Sequence, residues 1–458
     1  MNNKYSKSLS MAVAAAVFAL PAIGATDSER IQMLEEQLVK QKAMMEQQQR
    51  MLEEMEAQLQ GLKTDTPPTQ PSQEQLVTVE QSEEPSIQQP MAPRETDFNI
   101  YGHLQLDAIY DFKRVDPDYE STLRPSTIPT QGQPFGDDGT TVFSVRQTAL
   151  GMRAVVPTPM GDVKTWFEID LFGTGSDAGD TTFSLRHAWV EVGNLGFGQT
   201  NSNFMDISIF PNVVDWWGPS GMVFNRNPQL RYTWSGEKTR TAIALEKPNG
   251  SFNTGVFGDL SPEFDSNATA KTSLPDLTAH WRNDADWGHY QVAGVLRKLE
   301  FETRNEPGNR PNGDDTGWGV NLTGSINLLE RDQLKLGVVY GEGIASFMND
   351  GGVNLAPEDF QAEAVPILGV TAYWDHYWSN QWSSSAGFSM NDADPRNQQS
   401  GQEFDEGIYA STNILYTPYP ELLIGAEFLY GEHKDVSGEE GDDYRIQFTF
   451  KHKFSRDF

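Results

Sequence analysis

The chain closes with Asp443-Tyr444-Arg445-Ile446-Gln447-Phe448-Thr449-Phe450-Lys451-His452-Lys453-Phe454-Ser455-Arg456-Asp457-Phe458. Tyr444, Ile446, Phe448, Phe450 and Phe454 alternate with Arg445, Gln447, Thr449, Lys451 and Lys453, so one face is aromatic and the other charged. A period of two places successive side chains on opposite faces of a strand. The pattern recurs upstream. Phe167, Ile169 and Leu171 alternate with Trp166, Glu168 and Asp170, and Phe98, Ile100, Leu104, Leu106, Ala108 and Tyr110 with Asn99, Tyr101, His103, Gln105 and Asp107.

Counting outward from these segments gives sixteen expected strands between Asp97 and Phe458. Short turns fall at 157–161, 193–195, 236–237, 284–286, 329–331, 379–380 and 418–419. Long polar loops fall at 112–141, 173–182, 201–228, 248–275, 300–315, 343–363, 392–405 and 433–442. Short and long connections alternate strictly, with both ends of the strand array on the short-turn side. That asymmetry, with an even strand number, is the pattern of an all-β transmembrane barrel of the bacterial outer membrane, here a sixteen-stranded antiparallel one. Phe458 would end the last strand. Trp189, Tyr232, Trp234, Trp281, Trp318, Trp374, Tyr377 and Trp378 fit interfacial aromatic girdles. A secreted sandwich or solenoid would need neither feature.

The N-terminal quarter reads differently. Lys4 and Lys7, the apolar run Leu9 to Leu20 and the small residues near Ala25 make residues 1–25 a secretory signal peptide, cleaved after Gly24 or Ala25. Twelve apolar residues are too few to span a bilayer. Residues 26–63 carry a heptad seam of Ile31, Leu34, Leu38, Gln41, Met45, Gln48, Leu52, Met55, Leu59 and Leu62, the signature of a periplasmic α-helical coiled coil and hence of an oligomer. A lone solvated helix is the plainer alternative. The Pro/Gln-rich stretch 64–96 reads as an extended linker. The barrel occupies 97–458.

Composition excludes several function classes. There is no cysteine, so no disulfide framework, thiol nucleophile or cysteine zinc site. A net charge of −31 argues against nucleic acid as a partner. Only 37% of residues are hydrophobic, which suits a barrel whose lumen is wet and whose strands are apolar on one face alone. Seven histidines, and neither a G-x-S-x-G elbow nor an H-E-x-x-H motif, argue against an enzyme. No metal or cofactor is expected.

Parity then assigns side chains to the lumen. Lys164, Glu168, Asp170, Arg186, Arg231, Arg282, Arg297, Lys335, Glu427, Arg445, Lys451 and Lys453 lie opposite the apolar face, giving an acidic protein a basic lumen. Arg186 is inward if His187 and Trp189 sit at the girdle. Arg146 and Arg153 can both face inward only with a bulge between them, and alternation favours Arg153. Wall pairing of the arginines with Glu168 and Asp170 is the plainer reading of the same residues. The loop 201–228 is unusually apolar for a surface loop, with Ile207, Ile209, Phe210, Val213, Val214, Trp216 and Trp217. Folded into the barrel it would narrow the pore, projecting Asp206, Asp215 and Arg226 toward wall bases such as Arg186 and Arg231. Packing on a neighbouring subunit is the alternative.

The segments RQTALGMR (146–153), GDVKTWFEIDLFG (161–173), SLRHAWVEVGNLGFGQTNSNF (184–204) and FPNVVDWWGP (210–219) resemble the DcaP-like porins of Gram-negative outer membranes. The resemblance implies a homotrimer of sixteen-stranded barrels in outer-membrane lipid and lipopolysaccharide, a periplasmic coil, and passive uptake of small anions, notably dicarboxylates. Family members often carry Arg where Ala149 stands here.

The expected mechanism is diffusion past fixed charges. Inward arginines, among them Arg153, Arg186, Arg226, Arg231, Arg282, Arg297 and Arg445, concentrate anions and grip carboxylates, while dispersed weak sites let the solute leave. Two rival channels are a general porin and a sugar channel with an aromatic slide of Trp216 and Trp217. A third reading is a barrel that merely anchors a coil tethered to a periplasmic cell-wall component.

Overall fold

The computed structural model describes residues 96–130, 138–304 and 311–458. The expected signal peptide and coiled coil, and all but the last residue of the linker, lie outside the described residues. The rest is one closed antiparallel sheet. Its sixteen barrel strands are β1 (Asp97–Asp111), β2 (Thr140–Ser144 and Ala149–Thr158), β3 (Gly161–Phe172), β4 (Thr181–Val192), β5 (Leu195–Asn201), β6 (Arg226–Ser235), β7 (Thr239–Glu246) and β8 (Ala268–Lys271 and Asp276–Ala285). The second half is β9 (Gly288–Thr303), β10 (Asn312–Leu328), β11 (Asp332–Glu342), β12 (Pro366–Tyr377), β13 (Trp382–Ala393), β14 (Phe404–Tyr419), β15 (Leu422–Asp435) and β16 (Glu440–Asp457). Each pairs with its sequence neighbour, and β1 pairs with β16 from Asn99↔Asp457 to Asp111↔Arg445, which closes the barrel. Closure leaves no unpaired edge, as lipid requires.

Alternation sets the two faces. Leu104, Phe143, Leu150, Val292, Leu296, Leu322, Phe448 and Phe450 lie outward and exposed, ready for hydrocarbon. Their inward neighbours include Gln105, Asp107, Gln291, Asn321, Gln447 and Thr449, all buried and polar. Tyr232, Trp234, Trp281, Trp318, Trp374 and Trp378 are exposed outward. Trp189 is not: it is 5% exposed, lies over inward Gly196 and carries the Arg231 guanidinium on its ring.

Two irregularities decide which bases point inward. In β4 the pairing slips between Glu168↔His187 and Ile169↔Leu185, so Arg186 and His187 together oppose one residue of β3. That bulge turns both inward. Arg186 reaches Glu168 and Asp170, and His187 contacts Thr200 at 2.9 Å. Arg186 is therefore inward as expected, but with His187 and Trp189 beside it rather than at the girdle. In β2 the ladder breaks between Ser144 and Ala149, and this gap lets Arg146 and Arg153 both face the lumen. Arg146 lies over the Phe172 ring, and Arg153 over Tyr101 and Trp166.

Seven short turns alternate with longer connections on the other rim. The connection expected over 433–442 is shorter than read, because β15 runs to Asp435 and β16 begins at Glu440. Two short helices, α1 (Val256–Leu260) and α2 (Pro262–Asn267), and a hairpin of Leu355–Glu358 with Gln361–Ala364 sit on that rim. The loop between β5 and β6 folds inward onto the wall.

Candidate permeation constriction

The β5–β6 loop, residues 202–225, is held by the wall through its own backbone. Glu246 on β7 accepts from the Ser202 hydroxyl and the Asn203 N–H. Asp375 on β12 accepts from the Asn212 N–H at 3.1 Å, and Glu427 on β15 from the Val214 and Asp215 N–H groups at 2.7 and 3.0 Å. Loop carbonyls are satisfied in return. Asn321 donates to Phe204, Gln291 to Met205, Lys335 to Phe210, Asn413 to Asn212, and Gln147 and Gln447 to Val214. These donors come from strands on several sides of the barrel, so the loop runs across the lumen. Much of its apolar surface thereby leaves water, although Ile207 stays 45% exposed. Ile209 and Val214 are buried, and Phe204 packs edge-on against Phe347.

The two loop carboxylates border the small cavities on either side of the loop but are almost fully buried there and engaged with their neighbours. Asp206 and Asp215 are each 3% exposed. Asp206 turns to the wall, 3.1 Å from Arg282, 2.8 Å from His289 and 2.9 Å from the Thr323 hydroxyl. Burial pushes its carboxyl up, but the bond from His289 and the Arg282 charge prevail and bring it down to about 2. Asp215 accepts from the Thr122 hydroxyl and the Leu123 N–H of the first long loop and from its own Gly218 N–H, and burial pushes it up against the pull of Arg445. Both acids fasten the constriction rather than charge it.

What faces the remaining space is mostly basic. A cavity of about 200 Å³ lies beside the loop, with Arg186, Arg226, Lys451, His103, Gln147 and Trp216 on its lining and Asp215 as its one carboxylate. Arg186 is shared with Glu168 and Asp170, at 2.8 and 3.1 Å. Among the described residues Arg226 and Lys451 make no ion pair; the Arg226 guanidinium lies 4.8 Å from the Phe224 ring centre. A wider space of about 750 Å³ continues past Tyr101, Glu168, Lys451 and Lys453. On the other side of Ile207 is a second cavity of about 240 Å³ with Arg231, Arg240, Arg282 and His280, and with Glu191 and Asp206 as its acids. Ile207 belongs to both small cavities, so the loop divides two basic compartments.

Each remaining candidate has a definite place. Lys164 is on the inward parity of β3, opposite Glu191 of β4. Glu168 and Asp170 hold Arg186, and Glu168 also accepts from the Tyr101 hydroxyl. Arg153 is on two aromatic rings. Arg231 bonds Gln229 at 3.0 Å and the Asn201 carbonyl. Trp216 stacks 3.9 Å from Phe172 and donates to Asp170, whereas Trp217 turns to Tyr119 and donates to the Asn349 carbonyl. Two arginines depart from the expected pore lining. Arg297 and Arg445 point inward but line no opening, being 4% and 0% exposed. Arg297 is sealed by Asp276 at 3.1 Å and by the Gly343 and Asn249 carbonyls, and Arg445 by Asp111. Arg240, His280 and His103 were missed as site residues. Alternation with Ile243 and Leu245 would have turned Arg240 inward; nothing in the sequence ties it to the loop.

With the geometry in place, comparison with known proteins is informative. The family model of the DcaP outer membrane protein matches residues 32–270. The chain belongs to the DcaP outer membrane protein family. Among solved structures, the outer membrane channel DcaP of Acinetobacter baumannii is similar at 22% identity and a TM-score of 0.67, covering 78% of this chain and 97% of that one. The anion-selective porin from Comamonas acidovorans is similar at 8% identity and a TM-score of 0.51, over 79% and 100% of the two chains. A search of curated proteins returned no match. The DcaP family assignment and the closed barrel make this protein an outer-membrane channel.

Proposed function

We propose that this channel passes small anions, dicarboxylates preferred, by passive diffusion through the loop-narrowed lumen. The observation that carries the reading is a division of labour. Most lumenal carboxylates near the loop are occupied with backbone N–H groups or with wall bases, Glu191 instead accepting from the Trp189 indole, while Arg226, Lys451, Arg153 and Arg240 make no ion pair among the described residues. Fixed cations without counter-ions raise the local anion concentration. The guanidinium of Arg226, with no carboxylate across its fork, can take a solute carboxylate bidentately. Two basic compartments on either side of Ile207 suit a solute with two carboxylates. Spreading the contacts keeps each one weak, which conduction needs.

The sugar reading has less support: Trp216 borders the small cavity beside Arg226, whereas Trp217, 5.5 Å from it, packs on Tyr119 and donates to the Asn349 carbonyl. A homotrimer with the coil in the periplasm belongs to the same proposal and rests on family resemblance and the heptad seam. The functional test is current block. Succinate should block chloride current at lower concentration than acetate, and Arg186→Ala or Arg231→Ala should reduce the difference. Equal block by both acids in the wild type would remove the dicarboxylate preference.

A further inference from the structure

An apolar cavity at the loop rim has no part in the constriction. It encloses about 640 Å³ between the β7–β8 loop, the end of β9 and the hairpin 355–364. Phe252 and Phe301 stack at 4.2 Å, nearly parallel, as its floor. Phe264 closes one side, and Phe257 and Phe360, 5.7 Å apart, stand over it. Phe360 is 82% exposed, and it holds a φ of +66° that side-chain-bearing residues seldom adopt. A large apolar ring kept in water in a strained turn, above an apolar cavity of ligand size, is what a binding site presents.

The two loop segments around the cavity are acidic. Residues 252–267 and 355–364 carry Asp259, Glu263, Asp265, Glu358, Asp359 and Glu363 and neither lysine nor arginine. The nearby bases are paired: Lys298 with Glu300 and with Asp314 on the cavity lining, Arg304 with Glu302, and Arg396 with the Ala364 carbonyl. Burial, reinforced by the charges of Asp259 and Asp265, pushes the neighbouring Glu403 carboxyl up, a sign of negative potential there. The polar side chains on the lining are Thr254, Ser261, Asn312, Asp314 and Gln361, gathered at its edge against a mainly aromatic and aliphatic wall.

We propose that this mouth cavity binds small organic cations carrying an aromatic ring. The ring enters between the phenylalanines in offset or edge contact, and the cation is held by the ring faces and the acidic rim. The site shares no lining residue with the two small basic cavities, so it stands independently of the anion reading. Its occupant sits at the long-loop end, the extracellular side in barrels of this kind.

The test uses the mature protein in lipid nanodiscs and ligand-observed saturation-transfer NMR, with benzyltrimethylammonium as probe. Tetramethylammonium supplies the charge without the ring, and benzoate the ring without the cation. Benzyltrimethylammonium should receive saturation beyond empty nanodiscs and bind more tightly than either control. Phe360→Ser should weaken it about five-fold or more, from the usual worth of an aromatic contact. Leu260→Ser, at a residue 83% exposed, is the second variant. Because both side chains are outside the packed interior, their loss should leave the barrel folded. No signal above empty nanodiscs, benzoate binding as well as the probe, or unchanged affinity in both variants would each overturn the proposal.

Discussion

Glu427→Ala tests whether backbone anchoring sets the pore. The Glu427 side chain is 1% exposed and accepts from the Val214 and Asp215 N–H groups, with Asn413 beside it. Truncation leaves two buried N–H groups without an acceptor. Leaving a buried donor unsatisfied costs about 1–3 kcal/mol, so the loop loses on the order of 2–6 kcal/mol of local anchoring. The loss stays local. Gln147 and Gln447 still hold the Val214 carbonyl, and Asp375 still holds Asn212, while the barrel ladder is untouched. Single-channel recordings in planar bilayers should show higher mean conductance and added current noise. Glu427→Gln, which keeps one acceptor oxygen, should lie between. Heat-modifiability on gels verifies that each variant is still a folded barrel. A folded Glu427→Ala barrel with wild-type conductance and noise would refute the anchoring argument.

Arg226→Ala removes one cation without an ion-pair partner from the constriction. At about 4 Å in water a unit charge is worth about 1 kcal/mol, so anion enrichment should fall roughly five-fold, read as a reversal-potential shift toward zero. Arg445→Ala should instead destabilise the barrel by about 3–5 kcal/mol, because it leaves the buried Asp111 without its partner; the readout is a lower temperature of heat-modification. Asp206, held down to about 2, predicts a pH window. A carboxyl with a depressed folded-state value contributes fully above the unfolded value near 3.9 and loses its contribution as pH falls through the folded one. Conductance noise from loop release should be constant from pH 7 to about 4, rise below that, and be independent of pH in that range in Asp206→Asn. Deleting residues 27–63 should leave barrel assembly and conductance intact, checked by gel mobility and bilayer recording.

The barrel was legible because lipid enforces alternation. Every strand must put Leu, Val or Phe outward and may put anything inward, so Phe448 and Phe450 reveal Arg445 and Gln447. The exceptions come from two places where the ladder slips. At Arg186–His187 and at Ser144–Ala149 an extra residue shifts parity, and period-two reading cannot see that. Trp189 was misplaced for the same reason, and because tryptophan serves equally at a girdle and against Gly196 inside. The loop was recognisable from its apolar content, but the roles of its acids were not. Whether Asp206 faces the opening or Arg282 depends on a wall residue 76 positions away. Arg297 and Arg445 were correctly turned inward, yet only the packing of the long loops and the Asp111 pairing decide that they are sealed.

The most direct test of the account is the reversal potential of the wild-type channel in a planar bilayer under a potassium chloride gradient. Bases without counter-ions at the constriction and carboxylates tied to the loop predict a value on the chloride side of zero. A value on the potassium side would contradict the account and make Glu168, Asp170 and the acidic rim the governing charges.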